Sequence, residues 1–181
     1  AALPAGKSKV PRYGYEALLG SCDPAPGPLS LPPESPCMQF FTSGTTGMPR
    51  GVVVSHEALV ERWRIDAREQ RFRSDDVMLC VLPLFHVTSM GVYVALMVGA
   101  TVVIERASDG AAVAAAVRKN AVTRTGLVPF LMRSLVDHME RHNVPLPSLE
   151  YVIYGGEPID GPFLMRCHER MGCKLIQGYG M

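Results

Sequence analysis

Thr123-Arg124-Thr125-Gly126-Leu127-Val128-Pro129 is the stretch that decides the fold. Thr123 to Val128 reads as a strand. Pro129, whose fixed φ suits the first turn of a helix, then opens an apolar-periodic segment that runs to about His142. The alternation repeats downstream. Tyr151 to Tyr154 is a strand, Pro158 or Ile159 to Met171 a helix with Phe163, Leu164, Cys167 and Met171 inward, and Lys174 to Gln177 a strand. It also holds upstream, where Val77 to Leu82 is an apolar strand ended by Pro83. Ser89 to Met97 is a helix, Thr101 to Ile104 a strand, and Asp109 to Asn120 an alanine-rich helix. Earlier still, Cys37 to Phe41 and Val52 to Val54 read as short buried strands. Ser55 caps a helix through its side-chain oxygen, with Ala58, Leu59, Trp63 and Ile65 at near-helical spacing. Strands that look apolar on both faces and alternate with helices mark an α/β fold with a mostly parallel sheet flanked by helices.

Residues 1–36 read differently. Six of the thirteen residues from Pro24 to Pro36 are proline, which forbids regular helix or central strand, although Tyr13 to Leu19 suits a short helix before them. This segment is expected to be an arm or linker lying over a body formed by residues 37–181. At 181 residues the chain is expected to hold one domain with this short extra arm. Eighteen Lys and Arg against seventeen Asp and Glu leave a net charge of +1, which gives no electrostatic case for nucleic acid or an anionic membrane. No apolar run reaches the roughly 18 residues of a membrane span, and no start reads as a signal peptide. Five cysteines without a C-x-x-C point to reduced thiols and a cytoplasmic location.

In a parallel sheet, ligands bind outside the carboxyl ends of the strands. The informative loops are therefore 42–51, 83–89, 155–158 and 178–181. The first, Phe41-Thr42-Ser43-Gly44-Thr45-Thr46-Gly47-Met48-Pro49-Arg50-Gly51, has three glycines that allow close backbone approach and four hydroxyls in five positions. Successive N–H groups in such a loop form an anion nest, and Arg50 adds a guanidinium suited to phosphate oxygens. The spacing of Gly44, Gly47 and Gly51, with no Lys-Ser/Thr following, is not that of a Walker loop.

This string closely resembles the signature motif of the adenylate-forming enzymes: acyl- and aryl-CoA synthetases, nonribosomal adenylation domains and luciferases. The resemblance recurs in order. Leu82-Pro83-Leu84-Phe85-His86 is similar to the aromatic-His motif of the acyl-CoA branch. Tyr154-Gly155-Gly156-Glu157-Pro158 resembles the family's Gly-Gly-Ala-Pro loop. Gln177-Gly178-Tyr179-Gly180-Met181 resembles its Gly-Tyr-Gly-Met-Thr-Glu motif, without the Thr-Glu. The resemblance implies part of the large N-terminal domain of an enzyme that uses ATP to turn a carboxylic acid into an acyl-adenylate and then hands the acyl group to coenzyme A. By motif position Thr42, Ser43, Gly44, Thr45, Thr46 and Gly47 would hold the β- and γ-phosphates, with Arg50 assisting. Gly155, Gly156, Glu157 and Pro158 would lie along adenine. Tyr179, between Gly178 and Gly180 and followed by Met181, would stack on it. His86 would sit at the pocket mouth and orient the carboxylate or gate the pocket, since a carboxylate nucleophile needs no general base. Glu157 replaces the small residue usual in that loop and is read as pointing to solvent.

The resemblance also implies Mg²⁺, but the family glutamate that helps hold it, the ribose-binding Asp and Arg, and the C-terminal domain with its catalytic lysine fall outside these 181 residues. No metal ligand is assigned within the chain, and the isolated chain is expected to be inactive. The Phe-His and Gly-Tyr-Gly-Met motifs favour a free-standing CoA ligase over an adenylation domain that loads a carrier protein, and a non-catalytic nucleotide- or acyl-binding module is the alternative from another class. The acid is not readable, and a homo-oligomer stays open. Three other clusters carry less. Cys167-His168 with Cys173 matches no closed zinc pattern. Asp75-Asp76 reads as turn chemistry. The arginines at 62, 64, 68, 71 and 73, interleaved with Glu61, Asp66 and Glu69, read as a solvated helix face.

Overall fold

Parallel pairing brings five of the expected strands into one sheet. The computed structural model describes residues 14–23, 27, 30–42, 50–86 and 90–179. The chain divides into two compact units, Ala1–Pro32 and Pro33–Met181. In the first, α1 (Tyr15–Ser21) is a short helix with no buried residue, closed by the Ser21 hydroxyl donating to the Leu18 carbonyl at 2.9 Å.

The second unit opens with β1 (Pro36–Thr42) and β2 (Arg50–Ser55). Both are strands, but they are neither buried nor part of the parallel sheet. They pair antiparallel with each other, from Pro36↔Ser55 to Thr42↔Arg50, in a separate two-stranded sheet. Phe41 is 68% exposed, and Val52 and Val53 are also exposed. A short apolar run shows that a segment is extended; it does not say which neighbour pairs with it or what covers its faces. α2 (His56–Glu69) follows at once. Ser55 accepts from the Ala58 N–H at 3.2 Å, as its position predicts. The His56 and Glu57 N–H groups donate to Ser35 and Pro33 carbonyls, so three of the helix's unpaired donors are satisfied.

The main sheet contains β3 (Val77–Cys80), β4 (Thr101–Ile104), β5 (Arg124–Leu127), β6 (Tyr151–Gly155) and β7 (Lys174–Gly178). They are all parallel and run in the order β4-β3-β5-β6-β7. Connecting them are α3 (Met90–Met97), α4 (Gly110–Asn120), α5 (Pro129–His142) and α6 (Gly161–Met171). Successive strand residues serve opposite faces. Leu79 joins a core with Val113, Val117, Leu135, Val152, Phe163 and Cys167, under α4, α5 and α6. Its neighbour Met78 packs with Ala95, Ala100 and Phe72 on the other face. Two-sided burial of this kind explains why the strands are apolar throughout. None of the described helices is long and apolar enough to cross a membrane.

Two of the differences in boundary from the sequence reading have clear local reasons. β3 stops at Cys80, whose thiol donates to the Leu82 carbonyl at 3.3 Å, two residues short of the expected end at Leu82. α6 starts at Gly161 because the Asp160 carboxylate accepts the Phe163 N–H at 2.9 Å and so fixes the start two or three residues later than Pro158 or Ile159. The helix beginning expected at Ser89 lies outside the described residues, and α3 is described from Met90.

At the amino-terminal edge of the sheet, the acidic pair has two separate fates. Asp75 stays in an exposed turn with Arg73. Asp76 is fully buried beside an equally buried Arg124, with Nε to Oδ2 at 2.6 Å. Asp76 also accepts from the Arg73 N–H, the Arg73 guanidinium and the Thr123 hydroxyl. Arg124 donates to the Gln70 and Arg71 carbonyls and lies between the Phe72 ring (4.5 Å) and the Tyr151 ring (3.9 Å). Turn chemistry therefore describes Asp75 only. Charges buried this deeply persist because each polar atom has a partner. The arginines of α2 do form a solvated face, with exposed pairs Arg62–Asp66 and Arg64–Glu61, whereas Arg73 departs from it and bridges Asp75, Asp76 and Glu150.

Candidate nucleotide site at the carboxyl edge

The chain passes from β3 outward to β4 and then returns to the other side of β3 to form β5. The sheet order thus reverses between β3 and β5, which in open α/β sheets marks the ligand crevice. β3 and β5 pair only at Met78↔Arg124 and Leu79↔Thr125, whereas β3–β4 and β5–β6 each pair over four residues. At the last of these the buried Thr125 hydroxyl donates to the Leu79 carbonyl at 3.1 Å.

Parallel pairing delivers three of the four sequence-identified loops to this carboxyl edge. Beyond β3, Pro83 to His86 forms a turn in which the His86 N–H donates to the Pro83 carbonyl at 3.2 Å. Phe85 is 88% exposed, and His86 is exposed. Beyond β6 lie Gly155, Gly156, Glu157 and Pro158, and beyond β7 lie Gly178 and Tyr179. Gly155 and Gly178 are direct partners across β6 and β7. A Cβ on Gly155 would stand 2.4 Å from the Gly178 carbonyl oxygen, so the two motifs touch backbone to backbone. Gly156 has φ +87, a left-handed conformation that side chains resist, and the nearest atom to a Cβ there would be Val128 Cγ1 at 4.0 Å. Glu157 is exposed, as its reading toward solvent expects, and Tyr179 presents its ring to solvent at 94%.

The fourth loop is held differently. It closes the β1–β2 hairpin, and the pair Thr42↔Arg50 forms its base, with Arg50 exposed. Ser43, Gly44, Thr45, Thr46 and Gly47 lie outside the described residues, as do the Thr42 side chain, Gly180 and Met181. Two surface grooves lie elsewhere. One, about 490 Å³, lies between α2 and α3 beside the stacked Trp63 and Tyr93 rings. The other, about 380 Å³, lies at the amino-terminal ends of β6 and β7. Cys167 and Cys173 are core residues, and burial pushes each thiol up to about 11.

One group near the site was not legible as such in the sequence. Arg133 on α5 donates to Asp160 at 2.7 Å, and its guanidinium lies 3.9 Å from the Phe163 ring centroid. Arg133 holds the Asp160 carboxyl below its usual range, helped by the Phe163 N–H. Asp160-Gly161-Pro162 carried a readable cap signal, an Asp two positions before a helical Pro, but the arginine that reaches it is 27 residues away.

A family model described as AMP-binding enzyme matches residues 5–181. The chain belongs to the AMP-binding enzyme family. Within that family, it is 32% identical to a feruloyl-CoA synthase from an Amycolatopsis species over 184 residues, covering 100% of this chain and 36% of that protein. The chain thus spans about a third of the length of this curated relative. Among solved structures it is similar to the inhibitor-bound N-terminal domain of FACL13 from Mycobacterium tuberculosis. The TM-score is 0.82 with 26% identity, over 93% of this chain and 43% of that one. It is also similar to the o-succinylbenzoate coenzyme A synthetase of Bacillus subtilis in complex with ATP and magnesium, at TM-score 0.74 and 27% identity, covering 83% of this chain and 31% of that one.

Proposed function

We propose that the protein carrying this chain is an acid–thiol ligase that activates a carboxylic acid with ATP and transfers it to coenzyme A. The observation that carries the reading is the meeting of Gly155 and Gly178 at one sheet edge, with no room for a side chain between them and an exposed aromatic ring, Tyr179, directly after. Bare backbone beside a planar ring suits a nucleobase: the glycines leave its face open and Tyr179 stacks on it. Relatives named as CoA synthases agree with this reading.

In the proposed reaction, a carboxylate oxygen attacks the α-phosphorus, and the bond to the bridging oxygen breaks with its electron pair leaving on pyrophosphate. The thiolate of coenzyme A then attacks the acyl carbon, and AMP departs. Thr42 to Gly47 and Arg50 gather the leaving pyrophosphate through hydroxyls, backbone N–H groups and one fixed charge. Gly155 to Pro158 and Gly178 to Met181 border the base. His86, in the turn beyond β3, orients the acid. Mg²⁺ enters the proposal as the companion of the ATP phosphates. A cytoplasmic setting, suggested by five unpaired cysteines, belongs to the same proposal, as does inactivity of the isolated 181-residue chain.

The test is acid-dependent exchange of pyrophosphate into ATP by the full-length protein. Thr45→Val combined with Thr46→Val removes two hydroxyl contacts to charged oxygens. At about 1.5–3 kcal/mol each, exchange should fall at least a hundredfold. Unchanged exchange in the double variant would refute the phosphate assignment. Absence of any acid-dependent exchange in the wild type would refute the activity.

A further inference from the structure

The segment bordering the proposed base site hangs between two posts. One is the end of β6, where Gly155 is packed against Gly178. The other is Asp160, the N-cap of α6. Between them Gly156, Glu157 and Pro158 are all exposed, and Gly156 has no side chain with which to anchor itself. One neighbouring element, α5, meets both the segment and its second post. Val128, the N-cap of α5, faces Gly156, and Arg133, one turn into α5, grips Asp160. Asp160 divides its carboxylate between two tasks, with Oδ1 capping α6 through the Phe163 N–H and Oδ2 meeting Arg133. Arg133 in turn sits over the Phe163 ring, a second contact that helps to place its guanidinium.

We infer that Arg133 is a positioning residue: through Asp160 it ties the 156–159 segment to α5 and sets the height of that segment beside the nucleotide base. This inference rests on the proposed nucleotide site. An exposed ion pair contributes little to global stability by itself. Its leverage here is local: Gly156, Glu157 and Pro158 are exposed, and their carboxyl-terminal side is held by Ile159, packed against the core, and by the Asp160–Arg133 pair. The depressed Asp160 carboxyl agrees with a formed, oriented pair.

The experiment uses the full-length protein and steady-state kinetics with ATP and the acid varied separately. Arg133→Met keeps the length of the side chain and removes its charge. Asp160→Ser keeps an oxygen to cap Phe163 and removes the partner of Arg133. Each is expected to raise KM for ATP three- to tenfold while kcat and KM for the acid stay within twofold. The double variant should be no worse than the single ones, and Arg133→Lys should recover part of the loss. A purely structural role would lower the melting temperature of both variants and leave KM for ATP unchanged, which would overturn the inference. So would a multiplicative effect in the double variant. If the wild type shows no acid-dependent use of ATP, the proposed function falls first and this inference falls with it. If the wild type uses ATP normally and Arg133→Met matches it, only this inference falls.

Discussion

Replacing Gly155 with alanine tests the close contact between the two motif loops. The added Cβ would stand 2.4 Å from the Gly178 carbonyl oxygen, about 1 Å short of ordinary van der Waals contact. The obstacle is backbone on a hydrogen-bonded strand and cannot swing aside as a flexible side chain would. β6 and β7 must therefore separate at the pair Gly155↔Gly178, the last of their five-residue ladder. Overpacking of this kind costs about 1–3 kcal/mol. The strain is relieved most easily at the open end, where Gly178 leads to Tyr179. A displacement of about 1 Å at a reacting centre is worth up to about a hundredfold in rate, so the functional loss should exceed the stability loss. The assay pairs thermal unfolding of Gly155→Ala in the full-length protein with acid-dependent pyrophosphate exchange. The expected result is a melting temperature lowered by a few degrees and kcat/KM for ATP lowered at least tenfold. A variant with wild-type kcat/KM for ATP would refute the reasoning, whatever its melting temperature. It would mean that the contact of these loops does not shape the nucleotide site.

Three further outcomes follow from the same structure. Asp76→Ala leaves the fully buried Arg124 without its carboxylate and should destabilise by about 3–5 kcal/mol, read as a lowered urea midpoint; a loss under about 1 kcal/mol would show that Gln70 and Arg71 carbonyls suffice. In native protein at pH 8, iodoacetamide should label the exposed Cys22 and Cys37. Cys80, Cys167 and Cys173, buried and with thiols raised by burial, should be labelled only after unfolding, as peptide mass spectrometry will show. Arg50→Lys should keep kcat/KM within about tenfold because the charge survives, while Arg50→Ala should cost more; equal, near-wild-type exchange in both would remove Arg50 from the phosphate site.

The sequence alone determined the order and type of the elements in the parallel sheet, because each is written locally. β4 runs from Thr101 to Ile104 as its apolar run predicts, α5 starts at Pro129, and Ser55 caps the helix that follows it. The motifs were equally local, since a glycine run or a Phe-His pair is read without knowing what lies opposite. Tertiary structure decided which segments became neighbours. Nothing in Cys37 to Phe41 or Val52 to Val54 distinguishes a central parallel strand from an exposed antiparallel pair, because both are extended and apolar and only pairing separates them. Asp76 reads as a turn residue until Arg124, 48 positions later, is folded against it. Gly155 and Gly178 are ordinary motif glycines until register sets one against the other. Hydrogen-bond propensity and hydrophobic period act over a few residues. Charge pairing, close backbone approach and the choice of sheet edge depend on distances through space, and those exist only once the chain has folded.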